Sequence, residues 1–147
     1  MTDDVTIRPL LTRDRTDWAR LWRDYLSFYR ADLAEDVTDH TWAALTDPAR
    51  AVHGFVAVTD DRVVGLAHVV LHATTWATGV TCYLEDLFVD RGGRGAGVGL
   101  ALIQAVYAFA DENDASGVYW LTQEYNAPAR SLYDTVAHRS SFVVYQR

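Results

Sequence analysis

The sequence predicts a mixed α/β domain built on one central sheet. Three observations carry that prediction. Apolar runs of strand length recur along the 147 residues. Apolar positions at helical spacing fill the segments between them. A strand-like run, Leu84-Glu85-Asp86-Leu87-Phe88-Val89, then feeds the glycine-rich turn Arg94-Gly95-Ala96-Gly97-Val98-Gly99. That turn opens an amphipathic helix with Leu102, Ile103, Val106 and Phe109 on one side,.

The elements follow in order. Val5 to Pro9 reads as a first strand that proline ends. Thr16 or Asp14 caps the next helix, in which Trp18, Leu21, Trp22, Tyr25, Leu26 and Tyr29 recur at i, i+3, i+4, i+7, i+8 and i+11,. Asp39 caps a short helix from Thr41 to Leu45, before Pro48,. His53 to Thr59 and Arg62 to Leu71 read as strands, with a tight hairpin turn at Asp60-Asp61,. A polar loop from Ala73 to Gly79 leads to a strand from Thr81 to Val89. The main helix runs from Gly97 to about Asn113,. Val118 to Thr122 is a strand, Ala127 to about Val136 the last helix, and Ser141 to Gln146 a final strand,. Pro128 suits the first turn of its helix, where its missing N–H would be unpaired anyway,.

Composition narrows the function. Half the residues are hydrophobic and the formal net charge is −7, which disfavours unaided nucleic-acid binding,. All basic side chains are arginine, with no lysine anywhere. No apolar run is long enough to cross a membrane,. Met1-Thr2-Asp3-Asp4 has the wrong chemistry for a signal peptide, and Cys82 is the single cysteine, so a cytoplasmic location is expected,. His68 and His72 lack a third ligand, so no metal is expected,.

A strand, a small-residue turn and a helix N-terminus make an anion cradle, because the first helical N–H groups lack intrahelical partners. The turn is not a Walker loop, since Gly97-Val98-Gly99-Leu100 lacks the lysine and the hydroxyl,. The glycines at 95, 97 and 99 also miss the dinucleotide spacing, and too little chain follows for the rest of that fold,.

Arg94-x-x-Gly97-x-Gly99 does match the Gln/Arg-x-x-Gly-x-Gly/Ala signature of the GCN5-related N-acetyltransferases. Tyr83-Leu84-Glu85-Asp86-Leu87-Phe88-Val89 resembles that family's splayed fourth strand. Asn126-Ala127-Pro128-Ala129-Arg130-Ser131-Leu132-Tyr133 resembles its last helix. Tyr83 to Asp86 and Tyr119 to Thr122 are most similar to the small polyamine and histone/polyamine acetyltransferases.

The resemblance implies a single domain over residues 1–147, with a central mixed, mostly antiparallel sheet of about six to seven strands flanked by about four helices. It implies acetyl-CoA as cosubstrate, with direct transfer to a polyamine or lysine-like amine. Arg94, Gly95, Ala96, Gly97, Val98 and Gly99 would hold the pyrophosphate. The backbone of Leu87, Phe88 and Val89 would pair with pantetheine, the Val89 N–H would face the thioester carbonyl, and Asn126 would be both helix cap and pantetheine contact. Family members usually end the last helix with glycine. Here the segment reads Thr135-Val136-Ala137-His138-Arg139, which puts the C-terminal sheet edge in doubt,.

The chemistry assigns further roles. An amine near pKa 10.4 is only about 0.04% neutral at pH 7, so a base is useful. On a regular strand Glu85 and Asp86 point to opposite faces. By resemblance Glu85 is the base, and Asp86 is left to hold the acceptor. Tyr133, two turns from Asn126, is the general acid for the departing thiolate. The resemblance also implies that Tyr25 and Tyr29 wall the acceptor cleft, where Glu35 and Asp36 beside them would attract a cationic amine. The apolar segment from Ser141 to Gln146 invites pairing with a second chain, and hence a homodimer,. A rival use of the same cradle is acyl-CoA binding without transfer.

Overall fold

A computed structural model describes residues 4–147. Strand β1 (Thr6–Pro9) is followed by a 3-10 turn over Thr12–Asp14, helix α1 (Arg15–Phe28) and helix α2 (Glu35–Leu45). Then come β2 (Val52–Thr59), β3 (Arg62–Ala73), β4 (Val80–Val89), α3 (Val98–Glu112), β5 (Val118–Tyr119) and α4 (Ala127–Val136). The strands form one five-stranded sheet in sequence order. β1 to β4 pair antiparallel and β5 joins β4 in parallel.

The hairpin between β2 and β3 turns at Asp60 and Asp61, at φ of 51° and 58°. Two positive φ values in succession match the right-handed twist of the flanking strands, and aspartate tolerates that region better than most residues.

Each face of the sheet carries its own core. On one face Phe55, Ala57, Ala67, Val69, Cys82 and Leu84 meet Val98, Leu102, Ile103 and Val106 of α3. On the other, Val56, Val63 and Leu66 meet Trp18, Leu21 and Trp22 of α1 and Leu45 of α2. Trp18 and Leu21 are fully buried, as the helical spacing predicts. Asp14 is buried and occupies the N-cap position of α1, as expected, yet its side chain makes no cap bond to that helix. Its carboxylate instead accepts bonds from the Arg8 guanidinium at 2.8 and 2.9 Å and from the Leu11 N–H at 2.8 Å. The guanidinium holds the Asp14 carboxyl below its ordinary range.

Three expectations need correction. α2 begins at Glu35, so Asp39 lies inside the helix, where it pairs with Arg15 at 2.8 Å. β5 is only two residues long. The expected strand from Ser141 to Gln146 does not form. α4 ends at Ala137 with φ of −149° and ψ of −174°, in extended backbone. No left-handed residue turns the chain back toward β5. Phe142, Val143, Val144 and Tyr145 are consequently exposed.

Candidate active site

β4 is paired on both sides only at its start. Its parallel register with β5 covers Cys82 with Val118 and Tyr83 with Tyr119, and then the two strands part. From Leu84 to Val89 one backbone edge of β4 is open. The Asp90 N–H bonds to the Val64 carbonyl on β3 at 2.8 Å. Strand alternation therefore directs the Val89 and Leu87 N–H groups to the open side. The Val89 carbonyl points the same way, and the Arg94 Nε–H donates to it at 3.1 Å.

The turn after β4 is built to expose backbone. Gly95 and Gly97 sit at φ of 84° and 74°. A Cβ at either position would meet nothing within 4 Å, so protein packing does not explain these glycines. Left-handed backbone does, together with room for a ligand against the chain. Gly97 occupies the cap position of α3 with no side-chain cap bond. The first N–H groups of α3 are thus left for an anion. Gly99 differs. A Cβ there would come within 3.3 Å of Leu132, so this glycine lets α4 pack close to α3. Ala96 is exposed and Val98 buried, which anchors the turn to the core.

Asp90 holds this turn from beneath. It is buried, it accepts the Gly93 N–H at 2.9 Å, and it pairs with Arg20 at 3.2 Å and Arg62 at 3.4 Å. Gly93 itself has no room for a side chain, since a Cβ would lie 3.0 Å from Val64.

The α1 side of the open edge is made of side chains. β4 is not regular where Glu85 and Asp86 lie. His68 pairs with Asp86 while Val69 pairs with Leu84, so Glu85 is the extra residue of a β-bulge,. The bulge interrupts the regular alternation on which the expected opposite orientation of the two carboxylates rests,. Glu85 is pushed above its ordinary range, first by burial and then by the charge of Asp86. The Asp86 carboxylate accepts a 2.9 Å bond from His68. It also bears on Tyr25, whose phenol is driven far up, by burial first and then by Asp86. Tyr29 packs edge-on against Tyr25 at 5.0 Å, and Phe88 meets Tyr25 at 5.9 Å.

Tyr133 on α4 completes this group. Its ring meets Trp120 edge-on at 5.4 Å. Burial, and then the neighbouring Tyr29, hold its phenol above the ordinary value, so it carries its proton at neutral pH. Asn126 begins α4, but its side chain makes no cap bond. It lines a cleft of about 570 Å³ with Tyr29, Arg30, Gln123 and Tyr125. Glu35 and Asp36 are exposed in the first turn of α2, and among the described residues no hydrogen bond or ion pair ties either of them to this group.

Among the described residues, no group of three or more His, Cys, Asp or Glu side chains is arranged to hold a metal. No helix there is long and apolar enough to cross a membrane.

Residues 16–137 match the acetyltransferase (GNAT) family. The chain belongs to that family. The GNAT domain brings acetyl-CoA as cosubstrate and N-acetyl transfer to an amine, and the open edge of β4 with its glycine turn fits that ligand. The chain is 33% identical to the D-amino-acid N-acetyltransferase HPA3 of Saccharomyces cerevisiae, over all of this chain and 92% of the yeast protein. It is 29% identical to a thialysine N-epsilon-acetyltransferase of Caenorhabditis elegans, over 59% of this chain and 54% of that relative.

Solved structures agree on the GNAT fold. A ribosomal-protein-alanine N-acetyltransferase from Brucella melitensis biovar Abortus 2308 superposes with a TM-score of 0.80 at 22% identity, covering 98% of each chain. The aminoglycoside N-acetyltransferase AAC(6')-Iy, in complex with CoA, gives 0.84 at 17% identity, covering 100% of this chain and 96% of the other.

The sequence pattern puts Trp18 in a buried stripe but gives no sign of its bond to His68, nor of the parts that His68 and Asp90 play here. One signal for the bulge was present. Cys82, Leu84, Leu87 and Val89 are spaced two, three and two, and the step of three breaks strand periodicity,.

Proposed function

We propose that this GNAT enzyme acetylates the primary amine of a small cationic acceptor, a polyamine or a lysine-like molecule. The observation that carries this is the convergence of Asp86, Glu85, Tyr25, Tyr29 and Tyr133 beside the open edge of β4. Aromatic faces and a carboxylate together suit an ammonium group.

The thioester of acetyl-CoA supplies the acetyl group and leaves as a thiolate. The exposed Gly95 and Gly97 backbone, the first N–H groups of α3 and the charge of Arg94 hold the pyrophosphate. Leu87 and Val89 offer N–H groups to pantetheine, and Asn126 offers a free amide. The Val89 N–H stabilises the negative charge that develops on the carbonyl oxygen. Asp86 holds the acceptor ammonium. Glu85, with its raised proton affinity, takes a proton from it directly or through water. The nitrogen lone pair then attacks the carbonyl carbon, the C–S bond breaks, Tyr133 protonates the sulfur, and the second proton that the nitrogen sheds restores the Tyr133 phenol through solvent.

A second acceptor, the α-amine of a free D-amino acid, is favoured by the yeast relative, which matches the whole chain. Thiol release with spermidine, lysine, and D- and L-phenylalanine separates these cases. Turnover of spermidine or lysine is expected. Acetyl-CoA binding without turnover of any amine would discard the transfer chemistry in favour of a binding module.

The exposed apolar row from Phe142 to Tyr145 also supports a homodimer, in which that segment finds its partner on a second copy,. Light scattering at micromolar concentration tests this, and a monomer would refute it.

A further inference from the structure

We infer that His68 is a positioning residue for acetyl transfer: the Trp18 indole locks its tautomer, and the locked ring fixes Asp86 against the acceptor side of the site. The inference rests on the acetyltransferase function proposed above. It concerns residues deep beneath the cleft rather than in it.

The reasoning is donor and acceptor counting. His68 is 2% exposed and Trp18 fully buried, so water does not complete their hydrogen bonds. The Trp18 Nε1–H lies 3.0 Å from His68 Nε2. An indole nitrogen only donates, so Nε2 must accept and carries no proton. The single ring proton is therefore on Nδ1. Nδ1 lies 2.9 Å from Asp86 Oδ2, so it donates to the carboxylate. The flipped tautomer would set two N–H groups against each other at Trp18 and leave Asp86 facing a lone pair. Both errors are costly in a buried site.

Packing holds the ring in that plane. Trp18 and Trp22 stack at 5.8 Å, and their rings lie 6.1 and 5.2 Å from the His68 ring. His68 stands directly opposite Asp86 in the β3–β4 register, at the bulge. The bulge loosens the strand where Asp86 must be held accurately, and the His68 bond restores a fixed direction to its carboxylate. No second role is open to His68. Both ring nitrogens are engaged inside the protein, so it neither reaches the acceptor nor passes a proton to it.

The experiment uses the full chain with imidazole nitrogens labelled with 15N, at pH 8. The expected shifts show His68 protonated at Nδ1 and bare at Nε2. The opposite tautomer would overturn the inference. His68→Leu then removes the donor, while His68→Asn keeps an N–H near the place of Nδ1. In His68→Leu the 13C carboxyl resonance of Asp86 should move, and in His68→Asn it should return toward the wild-type position. An unmoved resonance in His68→Leu would overturn the inference without any assay of turnover.

Kinetics with lysine and spermidine supply the functional arm. kcat/KM for the acceptor should fall about 10- to 100-fold in His68→Leu, the range for a lost bond to a charged group. Most of the loss should lie in KM, acetyl-CoA affinity by calorimetry should hold, and His68→Asn should recover most of the activity. In an Asp86→Ala background the His68→Leu loss should vanish, since His68 acts only through Asp86. A loss that persists there, or that falls equally on acetyl-CoA binding, would reduce His68 to a packing residue. A wild-type chain inert toward both amines, and toward the phenylalanines, would instead defeat the proposed function and leave the resonance shifts to decide on His68.

Discussion

The two faces of the sheet reach the same open strand edge with different materials. The α3 face offers backbone: Gly95 and Gly97 in left-handed conformation, the bare start of α3, and the free N–H groups of β4. The α1 face offers side chains: Trp18, His68, Asp86, Tyr25 and Tyr29, each oriented by the next. Backbone donors exist at every residue, so the first face is made by removing bulk. The second must be assembled from chosen groups brought together across 68 residues of chain, from Trp18 to Asp86. On the proposed function, the backbone face serves the cosubstrate and the side-chain face the acceptor.

The comparison can be broken most forcefully at Tyr133, where the two faces meet. Tyr133→Phe keeps the ring and removes the proton donor. A fall in kcat of roughly 10- to 1,000-fold is expected, with acetyl-CoA affinity little changed by calorimetry. An unaltered kcat would make Tyr133 a packing residue of α4.

The backbone face is tested by Gly97→Val. A side chain there finds empty space in the protein alone, so stability should drop only by about 1–2 kcal/mol for the left-handed backbone. kcat/KM for acetyl-CoA should fall by about 100-fold, because a displaced ligand no longer aligns its thioester. Unchanged affinity would remove the turn from the binding site.

Glu85→Gln sharpens the other face. kcat should drop about 10- to 100-fold. In the wild type, burial and the Asp86 charge raise the Glu85 carboxyl, so the acid limb of kcat should lie above the ordinary carboxylate range. Asp86→Asn removes that charge, makes ionisation of Glu85 easier, and should move the limb to lower pH. A limb that stays in place would show that another group is titrating.

The smallest effect is expected from Asp14, which ties α1 to β1. Asp14→Asn should cost about 1–3 kcal/mol in urea unfolding at pH 7. The Asp14 carboxyl is lowered in the folded state. Its contribution is therefore present above the unfolded value near 3.8 and lost as pH falls through the folded one,. Wild type and variant should converge in strong acid, and a gap that persists there would point to lost packing rather than lost charge.

What was legible in the sequence follows the same division. The glycine turn, the main helix and α4 are local patterns, and α4 spans Ala127–Val136 as predicted. The buried stripe of α1 is local too. His68, by contrast, looks like an odd polar residue in an apolar strand until β3 is set in register with β4. Asp90 reads as the end of a strand, and only the fold brings Arg20 and Arg62 to it. Asn126 reads as a helix cap because asparagine usually is one, yet its amide makes no such bond,. The unmade final strand was foreshadowed by the missing glycine after α4, since local conformation decides whether the chain turns back.

The bulge in β4 has a consequence for how charge and packing are divided. Strike Glu85 from the sequence, and Cys82, Leu84, Leu87 and Val89 fall into strict alternation, with Tyr83, Asp86 and Phe88 between them. The carboxylate at the bulge is therefore an extra residue that neither core needs for its pattern,. Its removal should leave the alternation that both cores use intact, so the charge it adds to the open edge of β4 is separable from the packing of the sheet.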